Sequence, residues 1–123
     1  MISPKEVFAG LFEIPEAGRQ QPLVTSWKVN SELPYFNGHF PQSPILPAVA
    51  IIDISTYILQ RSLACPDLKV KSVLMAKFLS PIVPGQEVCM EWEATQATEW
   101  QIKWKDATTG KLLANLSVDL WPE

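Results

Sequence analysis

Between Leu23 and Val29 the chain alternates, with Leu23, Thr25, Trp27 and Val29 on one side and Val24, Ser26 and Lys28 on the other. A period of two predicts a strand with one covered face. From Ser31 to Pro47 the pattern gives way to Pro34, Pro41, Pro44 and Pro47, with Gly38 among them. Proline fixes φ and lacks an N–H, so this density predicts an ordered, extended loop and excludes helix or central sheet. The period then changes. A helix is predicted from about Pro47 to Leu63, with proline suited to the first turn and the basic Arg61 near the negative end of the helix dipole. Its run Ala48-Val49-Ala50-Ile51-Ile52-Asp53-Ile54 is apolar nearly all round, which predicts burial on most sides.

Strands account for the remainder. Val70–Phe78 is one, and Glu87–Thr95 is another, with Val88, Met90, Trp92 and Ala94 sharing a face. Trp100–Lys105 places Trp100, Ile102 and Trp104 together, and Lys111–Trp121 does the same for Leu112, Ala114, Leu116, Val118 and Leu120. Asp106-Ala107-Thr108-Thr109-Gly110 reads as the hairpin turn between them. One apolar helix with antiparallel strands predicts an α+β domain over residues 1–123, its sheet wrapped around a central helix. Such a sheet has edges and apolar faces to cover, so a homodimer or higher homo-oligomer is expected.

Composition narrows the function classes. A length of 123 residues suits one core, and 47% hydrophobic residues suffice to fill it. The net charge of −3 and the lack of a basic stripe argue against nucleic-acid binding. Met1 to Glu6 has no basic leader pattern, and the apolar run Ile45–Leu59, interrupted by Pro47 and Asp53, is short of the roughly 20 residues that span a bilayer. A cytoplasmic protein with no membrane span is expected. Cys65 and Cys89 lack zinc-ligand spacing and the chain has one histidine, so no metal site is expected and both thiols read as buried, reduced and structural. The five tryptophans at strand spacing read as core and interface residues rather than a stacking platform.

Three features carry chemistry. Asp53 is an ionisable group within an apolar helix, which is costly unless it is paired or lines a cavity. Taken alone, it reads first as a structural carboxylate bonded to Tyr57 or to a backbone amide. His39 lies in Phe36-Asn37-Gly38-His39-Phe40-Pro41, where aromatic and proline neighbours limit solvent and fix the ring. A loop histidine is commonly an ordinary surface residue, but a neutral imidazole so enclosed is also suited to act as general base. Third, the amides of Ala48 and Val49 at the helix start lack intrahelical acceptors and suit a carbonyl oxygen gaining negative charge. Base, acid and oxyanion-stabilising amide together suit proton abstraction next to a carbonyl.

The segment Gly38-His39-Phe40-Pro41-Gln42-Ser43-Pro44-Ile45-Leu46-Pro47-Ala48-Val49 resembles the signature of the 3-hydroxyacyl-[acyl-carrier-protein] dehydratases of the FabZ/FabA type, G-H-F-P-G-x-P-[IV]-[ML]-P-G-V. Those proteins carry an acidic residue fourteen positions after the histidine, and Asp53 stands there. Downstream, Ala76-Lys77-Phe78-Leu79-Ser80-Pro81-Ile82-Val83-Pro84-Gly85-Gln86 is similar to the family's akFrrPVvPGD strand and turn. The resemblance runs from about Trp27 onward. It implies a hotdog fold and a dimer in which His39 of one protomer faces Asp53 of the other. It also implies dehydration of a (3R)-3-hydroxyacyl thioester to the trans-2-enoyl thioester, in fatty-acid or polyketide-like (aryl polyene) biosynthesis. His39 would take the C2 proton, Asp53 would orient or protonate the leaving hydroxyl, and the Ala48 amide, with Val49 beside it, would hold the thioester oxygen. The implied partner is an acyl carrier protein presenting its phosphopantetheine arm, and no cofactor or metal is implied. Phe40, Pro47, Ile52, Tyr57 and Phe78 are tunnel-lining candidates, and Arg61, Lys69, Lys71 and Lys77 are carrier-docking candidates.

Departures from the pattern are Ala48 for the family's glycine, Gln42 for the glycine of H-F-P-G, and Asp53, which matches the FabA branch while His-Phe-Pro matches FabZ. This mixture is similar to the small dehydratases of aryl-polyene clusters. Ala48 can supply the same amide, since a helical residue needs no positive φ, but its methyl stands near the thioester's expected place. Two rival readings share the scaffold: a hotdog acyl-thioesterase, against which the His-Phe-Pro loop counts, and a non-catalytic acyl-thioester-binding subunit.

Overall fold

The computed structural model describes residues 23–31, 45–63, 65, 67–96 and 98–121. Over these the chain forms β1 (Leu23–Lys28), α1 (Ala48–Ser62), β2 (Lys69–Phe78), β3 (Glu87–Gln96), β4 (Glu99–Asp106) and β5 (Leu112–Trp121). The five strands make one antiparallel sheet in the order β1-β3-β4-β5-β2. Strands β1 and β2 flank the helix in sequence yet lie at opposite edges of the sheet. The connection carrying α1 therefore crosses a whole face, and burying that face against the helix makes the core. This is the α+β hotdog arrangement expected above.

The alternation along each strand decides which face is covered. Trp27, Val88, Met90, Trp92, Ile102, Trp104, Ala114, Leu116, Val118 and Leu120 are all buried. Helix α1 meets them with Ala50, Ile51, Ile54, Ile58 and Leu59. Trp27 and Trp104 pack edge to face, with centroids 5.3 Å apart and planes at 85°, a geometry worth about 0.5–1.5 kcal/mol beyond the area it buries. On the other face, Lys105 pairs with Glu91 at 2.7 Å. Leu113 is buried next to Ala114, against strict alternation, because the β4–β5 register shifts there.

Two expectations change. Helix α1 is not covered on most sides within the chain: Val49 is 59% exposed, and Ile52, Asp53, Thr56 and Gln60 are only partly buried. At 100° per residue these five share one stripe, opposite the face formed by Ile51, Ser55 and Ile58. Neither cysteine is fully buried; Cys89 alternates out of phase with buried Val88 and Met90, and Cys65 sits in the helix–β2 connection. Of the five tryptophans, Trp27, Trp92 and Trp104 are buried in the core, and Trp121 at the end of β5 is half exposed.

Strand β2 is an edge with two register shifts against β5, and Val73, Leu74 and Phe78 along it are exposed. The β4–β5 hairpin closes as expected, with Asp106 accepting through Oδ1 from the amides of Thr108 and Thr109 at 2.8 and 2.9 Å.

Candidate functional site

Pro47 caps α1 in extended geometry (φ −72°, ψ 159°), and its carbonyl accepts from the amides of Ala50 and Ile51 at 3.0 and 3.2 Å. Proline cannot cap with its side chain, and no acidic residue occupies the first turn. The amides of Ala48 and Val49 find no acceptor among the described residues, and both residues are exposed. Two N–H groups at the positive end of the dipole thus face outward, able to receive a carbonyl oxygen or an anion.

Asp53 follows Val49 by four residues, which puts it one turn along on the same open stripe. It is half-buried there and has Ile52 as neighbour. The helix is held in this rotation from its other side. Trp104 Nε1 donates to Ser55 Oγ at 2.9 Å, and Ser55 Oγ donates to the carbonyl of Ile51 at 2.7 Å, both within the core.

The start of the helix is also tied to the second sequence motif. The Leu46 amide donates to the Ile82 carbonyl at 2.8 Å, and the side chains of Leu46, Ile82 and Val29 are all buried. Residues 83–86 form a turn closed by Gln86 N–H on the Val83 carbonyl at 3.2 Å, with Pro84 and Gly85 at its centre. Gly85 has φ +86°, the value that a type II turn requires at this position and that a Cβ disfavours. Sequence reasoning saw both motifs but not that they touch.

The predicted residues are thus distributed as follows. Pro47, Ala48, Val49, Ile52 and Asp53 converge on the first half of α1 and its open stripe. Tyr57, a turn beyond Asp53, is buried in the core cluster. Phe78 ends edge strand β2 and is exposed. His39 and Phe40, with Gln42, lie outside the described residues.

The four docking candidates do not form one patch. Gln60 at the far end of α1 donates to the Leu68 carbonyl, just before β2 begins, so Arg61, Lys69 and Lys71 gather at the helix C-terminal end. Lys71 lies 4.0 Å from Asp119 and over the ring of Trp121 at 5.8 Å. Lys77 stands at the other end of β2, about 20 Å from Lys71 at the rise of a strand.

Comparison with known proteins places this geometry. The family profile of ApeI-like proteins, ApeI dehydratase, matches residues 16–115. The 3-hydroxyacyl-[acyl-carrier-protein] dehydratase FabZ of Caulobacter sp. strain K31 is 34% identical over 93 residues, 69% of this chain and 57% of that one. The chain therefore matches little more than half the length of that relative. The enzyme of the same name from Streptococcus pneumoniae serotype 4 is 31% identical over 106 residues, 78% of this chain and 74% of its own. Among solved structures, the dehydratase heterocomplex ApeI:P from Xenorhabdus doucetiae superposes with a TM-score of 0.70 at 25% identity, covering 89% of this chain and 98% of that one. Thioesterases share the fold at much lower identity, a likeness of fold alone. With an acidic residue on the open stripe of a central helix, exposed amides at its start and a profile matching residues 16–115, the chain belongs to the ApeI-like dehydratases, a FabZ-type branch of the hotdog enzymes.

Proposed function

We propose that the chain removes water from a (3R)-3-hydroxyacyl thioester carried on the phosphopantetheine arm of an acyl carrier protein, giving the trans-2-enoyl thioester. In this reading His39 takes the C2 proton while the amides of Ala48 and Val49 hold the thioester oxygen, on which negative charge builds. Asp53 orients the 3-hydroxyl and supplies the proton with which it leaves as water. The C2–H and C3–O bonds break, the C2=C3 bond forms, and the proton held on His39 restores Asp53. The observation that carries the reading is the placement of half-buried Asp53 one turn from two amides that find no acceptor among the described residues, on a helix stripe that its own sheet does not cover.

That uncovered stripe supports a site completed by a second subunit, with His39 of one protomer serving Asp53 of the other. The Xenorhabdus relative is solved as a heterocomplex, and the partner proposed for this chain is a second copy of itself. The cytoplasmic location, and a place in fatty-acid or aryl-polyene synthesis, belong to the same proposal.

Mixing two inactive variants tests both parts at once. His39→Ala and Asp53→Asn each remove the enoyl product, with the loss expected at about a hundredfold or more. Random reassortment of the two gives half mixed dimers, each with one intact site, so about a quarter of the wild-type rate returns. Full activity in either variant overturns the catalytic pair, and no recovery on mixing overturns the shared site. Release of free thiol without enoyl product identifies a thioesterase instead.

A further inference from the structure

Helix α1 carries two neighbouring hydroxyls that bond back one turn, and they are not equivalent. Ser55 Oγ donates to the Ile51 carbonyl at 2.7 Å, and Thr56 Oγ1 donates to the Ile52 carbonyl at 2.8 Å. Ser55 is 1% exposed, and its oxygen also accepts the indole N–H of Trp104 at 2.9 Å. Thr56 lies on the open stripe, half-buried, and its oxygen receives no donor from the described residues.

A peptide unit passes polarisation from its carbonyl to its own N–H. The Ile51 carbonyl and the Ile52 N–H form one such unit. In the regular ladder of an α-helix the N–H of residue i meets the carbonyl of residue i−4, so Ile52 N–H meets the Ala48 carbonyl. That carbonyl shares its peptide unit with the Val49 N–H, one of the two amides that find no acceptor among the described residues. A single directed chain therefore runs from the indole of Trp104, through the hydroxyl of Ser55 and two peptide units, to the Val49 N–H. Every member accepts from the one before and donates to the one after, the arrangement in which hydrogen bonds strengthen one another. Trp104 and Ser55 are both buried, so water does not compete for the first two links.

The row headed by Thr56 is the comparison built into the same helix. By the same ladder it passes through the Asp53 N–H to the Val49 carbonyl. It continues through the Ala50 N–H to the Pro47 carbonyl at 3.0 Å and ends at the Ala48 N–H. This row is one link longer, and no indole stands behind its hydroxyl.

We infer that Ser55 and Trp104 are positioning residues for the Val49 amide: their hydrogen bonds, handed along the helix, hold that N–H in line and make it the stronger donor of the pair. The inference rests on the proposed role of the two amides in holding the thioester oxygen. Negative charge grows on that oxygen as the C2 proton leaves, so a stronger donor speeds turnover more than it tightens substrate binding.

The test uses the full-length chain as wild type, Ser55→Ala, Ser55→Thr, Trp104→Phe and Thr56→Ala, each checked for its folded state by circular dichroism. The amide proton shifts of Ala48 and Val49 are read by NMR, and kcat and KM are measured with a 3-hydroxyacyl thioester. In Ser55→Ala the Val49 proton is expected to move upfield while that of Ala48 stays. With it kcat falls about two- to fivefold, the part of one oxyanion donor's contribution that cooperative strengthening represents, and KM changes little. Trp104→Phe gives the same pattern at smaller size, because the hydroxyl still feeds the Ile51 carbonyl, and it carries the decision where Ser55→Ala is unfolded. Ser55→Thr, whose hydroxyl can make the same back-bond, restores both readings. Thr56→Ala moves the Ala48 proton and leaves that of Val49. A Val49 proton that stays in place in Ser55→Ala overturns the inference, as does an unchanged kcat. So do equal shifts at Ala48 and Val49, the mark of a loosened helix start. Failure of the parent reading looks different: the wild type makes no enoyl product, while the Val49 shift still decides whether the chain of bonds exists.

Discussion

The indole of Trp104 donates to Ser55 Oγ at 2.9 Å inside the core, a polar tie between the sheet and the helix. Because Ser55 faces the sheet, Asp53, two residues earlier and 200° round the helix, must face away. One buried hydrogen bond thus fixes the side on which the carboxylate stands.

Removing it leaves a buried indole N–H without an acceptor. Ser55→Ala is expected to cost about 1–3 kcal/mol of stability in urea unfolding. Thr56→Ala is the matched comparison. Its hydroxyl also bonds back one turn, to Ile52, but has no tryptophan partner, so the change is expected near zero or slightly stabilising, since alanine favours helix.

Gly85 tests the turn of residues 83–86 from the backbone side. A Cβ at this position would meet no atom within 4 Å, so the penalty of Gly85→Ala comes from its φ of +86° alone. A loss of about 1–2 kcal/mol is expected, with faster exchange at Leu46. No change in either would mean that the turn tolerates another conformation.

Asp106 links pH to the same turn, since Gln86 Nε2 donates to its Oδ2 at 2.8 Å. The Gln86 side chain, then the amides of Thr109 and Thr108, hold its carboxyl below the ordinary value of 3.8. A folded-state value below the unfolded one means the stabilisation is fully present above 3.8 and is lost as pH falls through the lower, folded value. Asp106→Asn should therefore lower Tm at neutral pH, with the gap to wild type narrowing as the medium is acidified below 3.8. A gap that stays constant would show that the carboxylate charge contributes nothing.

The exposed apolar residues on edge strand β2 predict where a second subunit sits. Leu74 is 51% exposed on a strand that pairs only with β5 among the described residues, and Val73 and Phe78 nearby are exposed as well. Leu74→Lys places a charge on that edge, a device that blocks edge pairing. The expected result is a shift toward monomer in sedimentation, with dehydration lost in parallel. An active monomer would contradict the shared site.

Much of this was legible in one dimension because period is a local property. Alternation at Trp27, at Val88-Met90-Trp92 and at Leu116-Val118-Leu120 marks a covered strand face, and Pro47 followed by an apolar run marks a helix start. The fourteen-residue spacing between His39 and Asp53, with the Pro84-Gly85 turn downstream, was enough to point to the dehydratase family. Contacts between distant segments carry no such mark. No period announces that Ile82 receives Leu46, that Gln86 reaches Asp106, or that Ser55 rather than Asp53 turns to the sheet.

The exposure of Cys89 and of one helix stripe was hidden for the same reason. An apolar helix reads as buried all round, although its own sheet can cover only one side. The sequence by itself thus determined the elements and the covered faces of strands β3 and β4, and it nominated the residues proposed to carry chemistry, through periodicity, proline and spacing. The tertiary structure alone decided the strand order, the rotation of α1 and the anchoring of 82–86 on Val29 and Leu46, because these depend on which remote groups satisfy one another once water is excluded.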